Sequence, residues 1–228
     1  DDVKKFYPTF PYNNITIKLL LRHRGGLGNY TYFSEKFTDR KTPLTNQGVV
    51  EMMIKNKPDI YFFPDRRMDY SNTGYVLLAA IVEKVSGKNF TAFLKENIIQ
   101  KAGLRNTGMD RLDSVLAFRA KGYGKNRQGV WQQAMYISME GPYSAGAMVS
   151  TVEDLYLWTK ALYSNQVLSA ASTQKMMTAY MNNYGYGIGV DSLKTHKRVS
   201  HNGGIPGFAS YLAYYPADDL CIAVISNN

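Results

Sequence analysis

The order of apolar and polar positions divides the chain into a helical first part and a strand-rich end. Val76, Leu77, Ala80, Ile81 and Val85 repeat at helical spacing and Gly87 stands where such a helix would stop, so a helix is expected over 72–86. The same spacing predicts a helix over 45–56, with Val49, Val50, Met53 and Ile54 inward. Another is expected over 91–101, where Phe93, Leu94 and Ile98 share a face and Gly103 follows as a cap. Ile15, Ile17, Leu19, Leu20 and Leu21 lead into a short helix that ends at Gly25 and Gly26. Ser150 and Glu153 have the spacing of a capping box and open a helix reaching Leu162, with Leu155, Trp158 and Leu162 inward; a further helix starts near Ser169. Residues 29–40 read as loop and 104–143 as irregular. From Tyr184 onward the pattern becomes that of strands, over 186–190, 198–201, 208–215 and 220–226. Helices first and neighbouring strands last predict an α+β fold, an antiparallel sheet flanked by helices beside a mainly helical subdomain. Residues 1–143 would form the mainly helical region and residues 144–228 the remaining part of the α/β region.

Composition narrows the class without naming a function. A chain of 228 residues with 45% hydrophobic and 20% charged residues can bury a sizeable core without a disulfide or metal staple. Its longest apolar runs, Tyr75 to Val82 and Leu220 to Ser226, are too short to span a bilayer. The chain opens on Asp1-Asp2-Val3-Lys4-Lys5, which is no signal peptide; if the protein is exported, its leader lies outside these residues. The net charge of +9 is scattered in short groups such as Arg22/Arg24, Arg66/Arg67 and Lys194/Lys197/Arg198. With no zinc-ligand spacing, RNA-binding signature or basic helix, that charge argues against nucleic acid and for anionic substrates or an anionic envelope. The single cysteine, Cys221, excludes an intramolecular disulfide and a Cys-based metal site, and its apolar neighbours read it as a structural thiol. No metal and no cofactor is expected.

Two stretches carry candidate chemistry. Asp69-Tyr70-Ser71-Asn72-Thr73-Gly74 precedes the helix expected over 72–86, with Asn72 as its N-cap candidate. A phenol at Tyr70 would then lie near the positive end of the helix, which favours its ionised form and makes it a usable base. The plainer reading of these residues is an aromatic plug beside a cap. The second stretch is His201-Asn202-Gly203-Gly204-Ile205-Pro206-Gly207-Phe208, read as the end of one strand turning into the next. Glycine at 203 and 204 leaves backbone N–H groups open to a ligand, as an oxyanion hole requires, although an ordinary hairpin turn explains the same residues.

Taken together, Tyr70-x-Asn72 and His201-x-Gly203 make the chain resemble the serine β-lactamase and penicillin-binding-protein-like family, in particular its class C-like esterase, D-aminopeptidase and D-Ala-D-Ala carboxypeptidase branch. The likeness runs through most of the chain. Ile15 to Leu27 is similar to the family's T-I-R-H-L-L-T-H-T-S-G-L segment, and Tyr70 to Tyr75 to its second catalytic motif. Ser144 to Thr151 and Tyr186-Gly187-Ile188-Gly189 are similar to later signatures, and His201-Asn202-Gly203 stands where K-T-G or H-x-G belongs. The resemblance implies a β-lactamase/transpeptidase-like fold and an extracytoplasmic, periplasmic or secreted serine hydrolase. It would act through an acyl-enzyme on an ester, amide or β-lactam carbonyl of a small-molecule or peptide substrate. Tyr70 would be the base, Asn72 would hold substrate and a lysine partner, and His201 would stand in for the third-motif lysine. Gly204 N–H would be an oxyanion donor, with Asn202 and Gly203 beside it. Histidine in the third motif leans toward esterase or peptidase work.

The family reaction begins with S-x-x-K, whose spacing puts the lysine amine one helical turn from the serine oxygen. In the family this motif precedes the segment that Asp1-Asp2-Val3-Lys4-Lys5-Phe6-Tyr7-Pro8 resembles, so the chain is expected to be cut short at both ends and inactive by itself. Ser172-Thr173-Gln174-Lys175 satisfies S-x-x-K literally but reads as an exposed helical turn. His23 is expected to satisfy local backbone groups, while Arg24, where the family has Thr, offers a charge for a substrate carboxylate. The rival reading is a catalytically inactive relative that binds peptidoglycan-like peptides or a protein partner.

Overall fold

A computed structural model of the chain describes residues 1–34, 44–110, 116–137, 139 and 143–228. Expectations for 35–43 and for parts of 104–143 therefore fall outside the described residues. The chain enters through a short turn, Val3–Lys5, capped by the Asp2 carboxylate, which accepts from Lys4 N–H at 2.8 Å. Helix α1 (Ile17–Leu21) follows behind its cap Thr16, and α2 (Tyr30–Phe33) behind Asn29, a short helix where loop was expected. Helix α3 (Asn46–Asn56) is capped by Thr45, whose hydroxyl accepts from Gly48 N–H at 3.0 Å. Helix α4 (Asn72–Ser86) ends at Gly87, whose φ of 69° is the left-handed stop the sequence announces. Helix α5 (Phe90–Leu94) passes into a π turn at Lys95–Ile99, so the expected single helix is two pieces.

The middle of the chain forms short ribbons: β1 (Gly108–Met109), β2 (Tyr123–Lys125), β3 (Trp131–Gln133) and β4 (Met148–Val149), paired β1 with β4 and β2 with β3. Helix α6 (Val152–Tyr163) is capped by Thr151, not Ser150. The Thr151 hydroxyl accepts from Asp154 N–H, while Ser150 bonds Thr107 across the β1–β4 ribbon at 2.8 Å. Helix α7 (Ala170–Met176) starts behind Ser169, as expected. The last four strands, β5 (Gly189–Leu193), β6 (His196–Ile205), β7 (Phe208–Tyr215) and β8 (Leu220–Ser226), make one antiparallel sheet in that order. Strand β6 runs further than predicted because the turn is made at Pro206–Gly207, where Gly207 takes φ 80°.

Helix α4 is the axis of the helical region. Val76, Leu77, Ala80 and Ile81 are buried against Val49, Val50 and Met53 of α3 and Leu20 of α1. Each larger side chain so buried contributes about 1.5–3 kcal/mol. At Gly74 a Cβ would sit 3.4 Å from the Leu20 carbonyl oxygen, so glycine lets α4 approach the end of α1. A second cluster lies under the sheet, where Val190, Val199 and Tyr214 pack with Tyr163 of α6; the Tyr163 and Tyr214 rings stack at 4.3 Å.

Candidate active site

The Tyr70 loop is held in place by His23. His23 sits in the left-handed region at φ 53° just after α1, and its backbone carbonyl accepts from Asp69 N–H at 2.9 Å. Its Nδ1 accepts from Ser71 N–H at 3.1 Å. Ser71, not Asn72, is the residue before the helix, and its side chain makes no capping bond; Asn72 is the first helical residue. The next residue ties this end down: Thr73 Oγ1 donates to Gly28 O at 2.6 Å and accepts from Tyr30 N–H at 2.8 Å. These bonds hold Tyr70 with its ring centroid 4.0 Å from that of His23, while Tyr75 of α4 stacks on His23 at 4.9 Å.

The sheet brings the other half. Strand β5 pairs with β6 only as far as Ser200, opposite Gly189, whereas β7 pairs with β6 through Ile205. His201 is thus the first β6 residue beyond the end of β5. From there on, the backbone groups that alternate away from β7 have no strand beside them among the described residues. The His201 ring lies 6.2 Å from Tyr70 and 6.2 Å from Tyr184, centroid to centroid. Asn202, Gly203 and Gly204 continue along the exposed edge. A Cβ on Gly204 would meet nothing within 4 Å, whereas one on Gly203 would come 2.5 Å from Ser210 Oγ. Packing inside the chain therefore gives a reason for glycine at 203 and none at 204.

Electrostatics departs from the expectation for Tyr70. Its phenol is pushed up from the ordinary value by burial against the neighbouring rings, not down. The backbone N–H that would have favoured the phenolate is committed, since Ser71 N–H points at His23 Nδ1. Burial likewise pushes up the phenols of Tyr75 and Tyr184. His23, 3% exposed, is pushed down to about 4, chiefly by burial and secondarily by the nearby His201.

Arg24 does not supply the free charge expected of it. Its guanidinium is 4% exposed, pairs with the Asp65 carboxylate and lies 4.4 Å from the Tyr180 ring. Ser172 and Lys175 are both exposed on α7, where Ser169 Oγ donates to Ser172 Oγ. Two neighbours went unnoticed as part of this constellation: His23, read only as structural, and Tyr184, which carried no signal beyond its place before the Tyr186-Gly187-Ile188-Gly189 signature. Among the described residues no group of three or more His, Cys, Asp or Glu side chains could hold a metal, and no helix is long and apolar enough to cross a membrane.

Helices packed beside an antiparallel sheet are the architecture this chain shares with solved β-lactamase/transpeptidase-like proteins. The chain belongs to the beta-lactamase family, whose model matches residues 1–228. A penicillin-binding protein of Bacillus subtilis (strain 168) is 30% identical over 249 residues, covering 100% of this chain and 54% of that protein. The crystal structure of a penicillin-binding protein from Bacillus halodurans superposes with a TM-score of 0.81 at 28% identity, covering 95% of this chain and 69% of that one. That of a D-stereospecific amidohydrolase from Streptomyces sp. gives 0.85 at 25% identity, covering 100% and 74%. The chain spans about half the length of the curated relatives it matches, 54% and 55% for two from Bacillus subtilis.

Proposed function

We propose that these residues form the base-bearing part of an extracytoplasmic serine hydrolase that works through an acyl-enzyme on an ester, amide or β-lactam carbonyl. The observation that carries this reading is the meeting of Tyr70 and His201 at 6.2 Å, with the Tyr70 ring lying on the buried His23. Tyr70 takes the proton of the attacking serine and returns it to the leaving group. Its raised pKa calls for a cation beside the phenol, and we assign that part to the lysine of an S-x-x-K motif. Asn72, in the first turn of α4, bonds the substrate and that lysine. His201 adds electrostatic support, and Gly204 N–H, on the open edge of β6, serves with the serine's own N–H as an oxyanion donor. Relatives whose names include penicillin binding and D-stereospecific amide hydrolysis favour a small-molecule or peptide acyl donor.

The test uses the full-length protein. A chromogenic ester or β-lactam is expected to be hydrolysed, and Tyr70→Phe is expected to lower turnover by on the order of 10²-fold or more, the scale of general-base loss. An unchanged rate in the variant removes Tyr70 from this role. Saturable binding of a peptidoglycan-like peptide with no turnover by the unmutated protein would establish the inactive-binder reading instead.

A further inference from the structure

Four hydrogen bonds run in line through the cluster and join the two histidines by way of Tyr184. Ser71 N–H meets His23 Nδ1 at 3.1 Å, and His23 Nε2 meets Tyr184 Oη at 3.2 Å. Tyr184 Oη then meets His201 Nε2 at 3.0 Å, and His201 Nδ1 meets the Asn202 carbonyl oxygen at 2.7 Å. Both ends of the line have fixed roles, because a backbone N–H only donates and a carbonyl only accepts. His23 Nδ1 is therefore bare and its proton sits on Nε2, pointing at Tyr184. At the far end His201 carries its proton on Nδ1, which leaves Nε2 as the acceptor for the Tyr184 hydroxyl. The two assignments come from opposite ends of the line and agree at Tyr184, so for neutral rings one proton arrangement satisfies all four bonds.

Tyr184 reaches this position from the loop between α7 and β5, anchored by its bridge to Gly189. Its side chain is buried, at 9% exposure, and so is that of His23, at 3%, so water offers little substitute for either bond. The remaining titratable groups facing the line are the phenols of Tyr70, whose ring lies against both His23 and His201, and of Tyr75, which stacks on His23, meets the Tyr184 hydroxyl and donates its own proton to Leu21 O at 3.0 Å. Both His201 nitrogens are occupied by this protein, so His201 meets the reacting groups through its ring and not through a free N–H.

We propose that Tyr184 is a positioning residue: its hydroxyl, oriented by His23, fixes the rotamer and the Nδ1-protonated tautomer of His201 that faces Tyr70. The inference rests on the hydrolase reading for its purpose and on the four bonds alone for its existence. A proton added at His201 Nε2 would set two donors against the Tyr184 oxygen and force the Tyr184 O–H out of line. Tyr184 thereby couples the charge of His201 to its own hydroxyl orientation.

The experiment is imidazole 15N NMR on this chain, made tractable by its having only 3 histidines. As neutral rings, His23 is expected as the Nε2–H tautomer and His201 as the Nδ1–H tautomer with a hydrogen-bonded Nε2. In Tyr184→Phe the His201 Nε2 resonance moves to that of an unbonded nitrogen, while His23 Nδ1, still held by Ser71, stays put. His196, paired with Asp218 at 2.8 Å outside the cluster, reports that the fold is intact. Finding His201 as Nε2–H in the unmutated chain, or unmoved in Tyr184→Phe, overturns the proposal; the first observation needs no variant to fold. In the full-length enzyme Tyr184→Phe should lower kcat about tenfold with KM retained, the size of one hydrogen bond to a group that gains charge. A line present by NMR in a protein without turnover would refute the hydrolase reading and leave the positioning role of Tyr184 standing.

Discussion

Acidification should remove the stability that an uncharged His23 carries, and the amount follows from its surroundings. In the unfolded chain a histidine titrates at about 6.5. In the fold, burial pushes His23 down to about 4. Between those two values the unfolded state binds the extra proton and the folded state does not, so stability is full above pH 6.5 and is lost as pH falls toward 4. At about 1.4 kcal/mol per pH decade, the whole interval corresponds to ~3 kcal/mol. The assay is urea denaturation at half-unit pH steps from 7.5 to 4, comparing the chain with His23→Asn. Asparagine keeps an oxygen to accept Ser71 N–H and does not titrate, so the variant should be less stable at neutral pH yet show a flatter profile. Carboxylates whose pKa the fold lowers, such as Asp154 beside Thr107 and Asp191 beside Arg198, add their own losses at lower pH in both proteins. Parallel profiles for the two proteins between pH 6.5 and 4 would refute the reasoning.

Thr73→Val keeps the side-chain volume but deprives Gly28 O and Tyr30 N–H of a buried partner. The cost should be ~2–5 kcal/mol, or about 5–15 °C in Tm for a domain of this size, with most of it restored by Thr73→Ser; a loss below ~1 kcal/mol would show that Thr73 does not hold the Tyr70 loop. Gly26→Ala should cost at least ~3 kcal/mol in the same denaturation assay, since Gly26 has φ 76° and a Cβ there would overlap the Phe62 carbonyl oxygen. Gly108→Ala, where a Cβ meets nothing within 4 Å, is the control expected to change little.

Local signals carried much of the fold. The apolar spacing of Val76, Leu77, Ala80 and Ile81, with Gly87 behind it, makes α4 and its end legible because one face must be buried and one glycine takes the left-handed stop. Thr45 and Ser169 mark helix starts for an equally local reason, a hydroxyl that bonds the N–H three residues on. Where two cap residues adjoin, sequence does not choose between them. Ser150 lost to Thr151 because Ser150 bonds Thr107 across the ribbon, and Asn72 lost to Ser71, whose side chain makes no capping bond. The extension of β6 to Ile205 depended on where the chain turns, and Pro206–Gly207 decided that over the earlier glycines. Tyr70 and His201 were legible as candidates through motif resemblance. Tyr184 was not, because its hydroxyl belongs to a line that includes residue 23, distant in the chain and visible only once the sheet packs on the helices.

The account stands on Tyr70 acting as base for a serine beside His201. Its most direct measurement is the rate at which a fluorophosphonate labels the full-length protein, followed by intact mass and peptide mapping. The adduct should form on the serine of an S-x-x-K outside residues 1–228, and on the order of 10²-fold more slowly in Tyr70→Phe. Labelling at Ser172, or at equal rates with and without the Tyr70 hydroxyl, would contradict it.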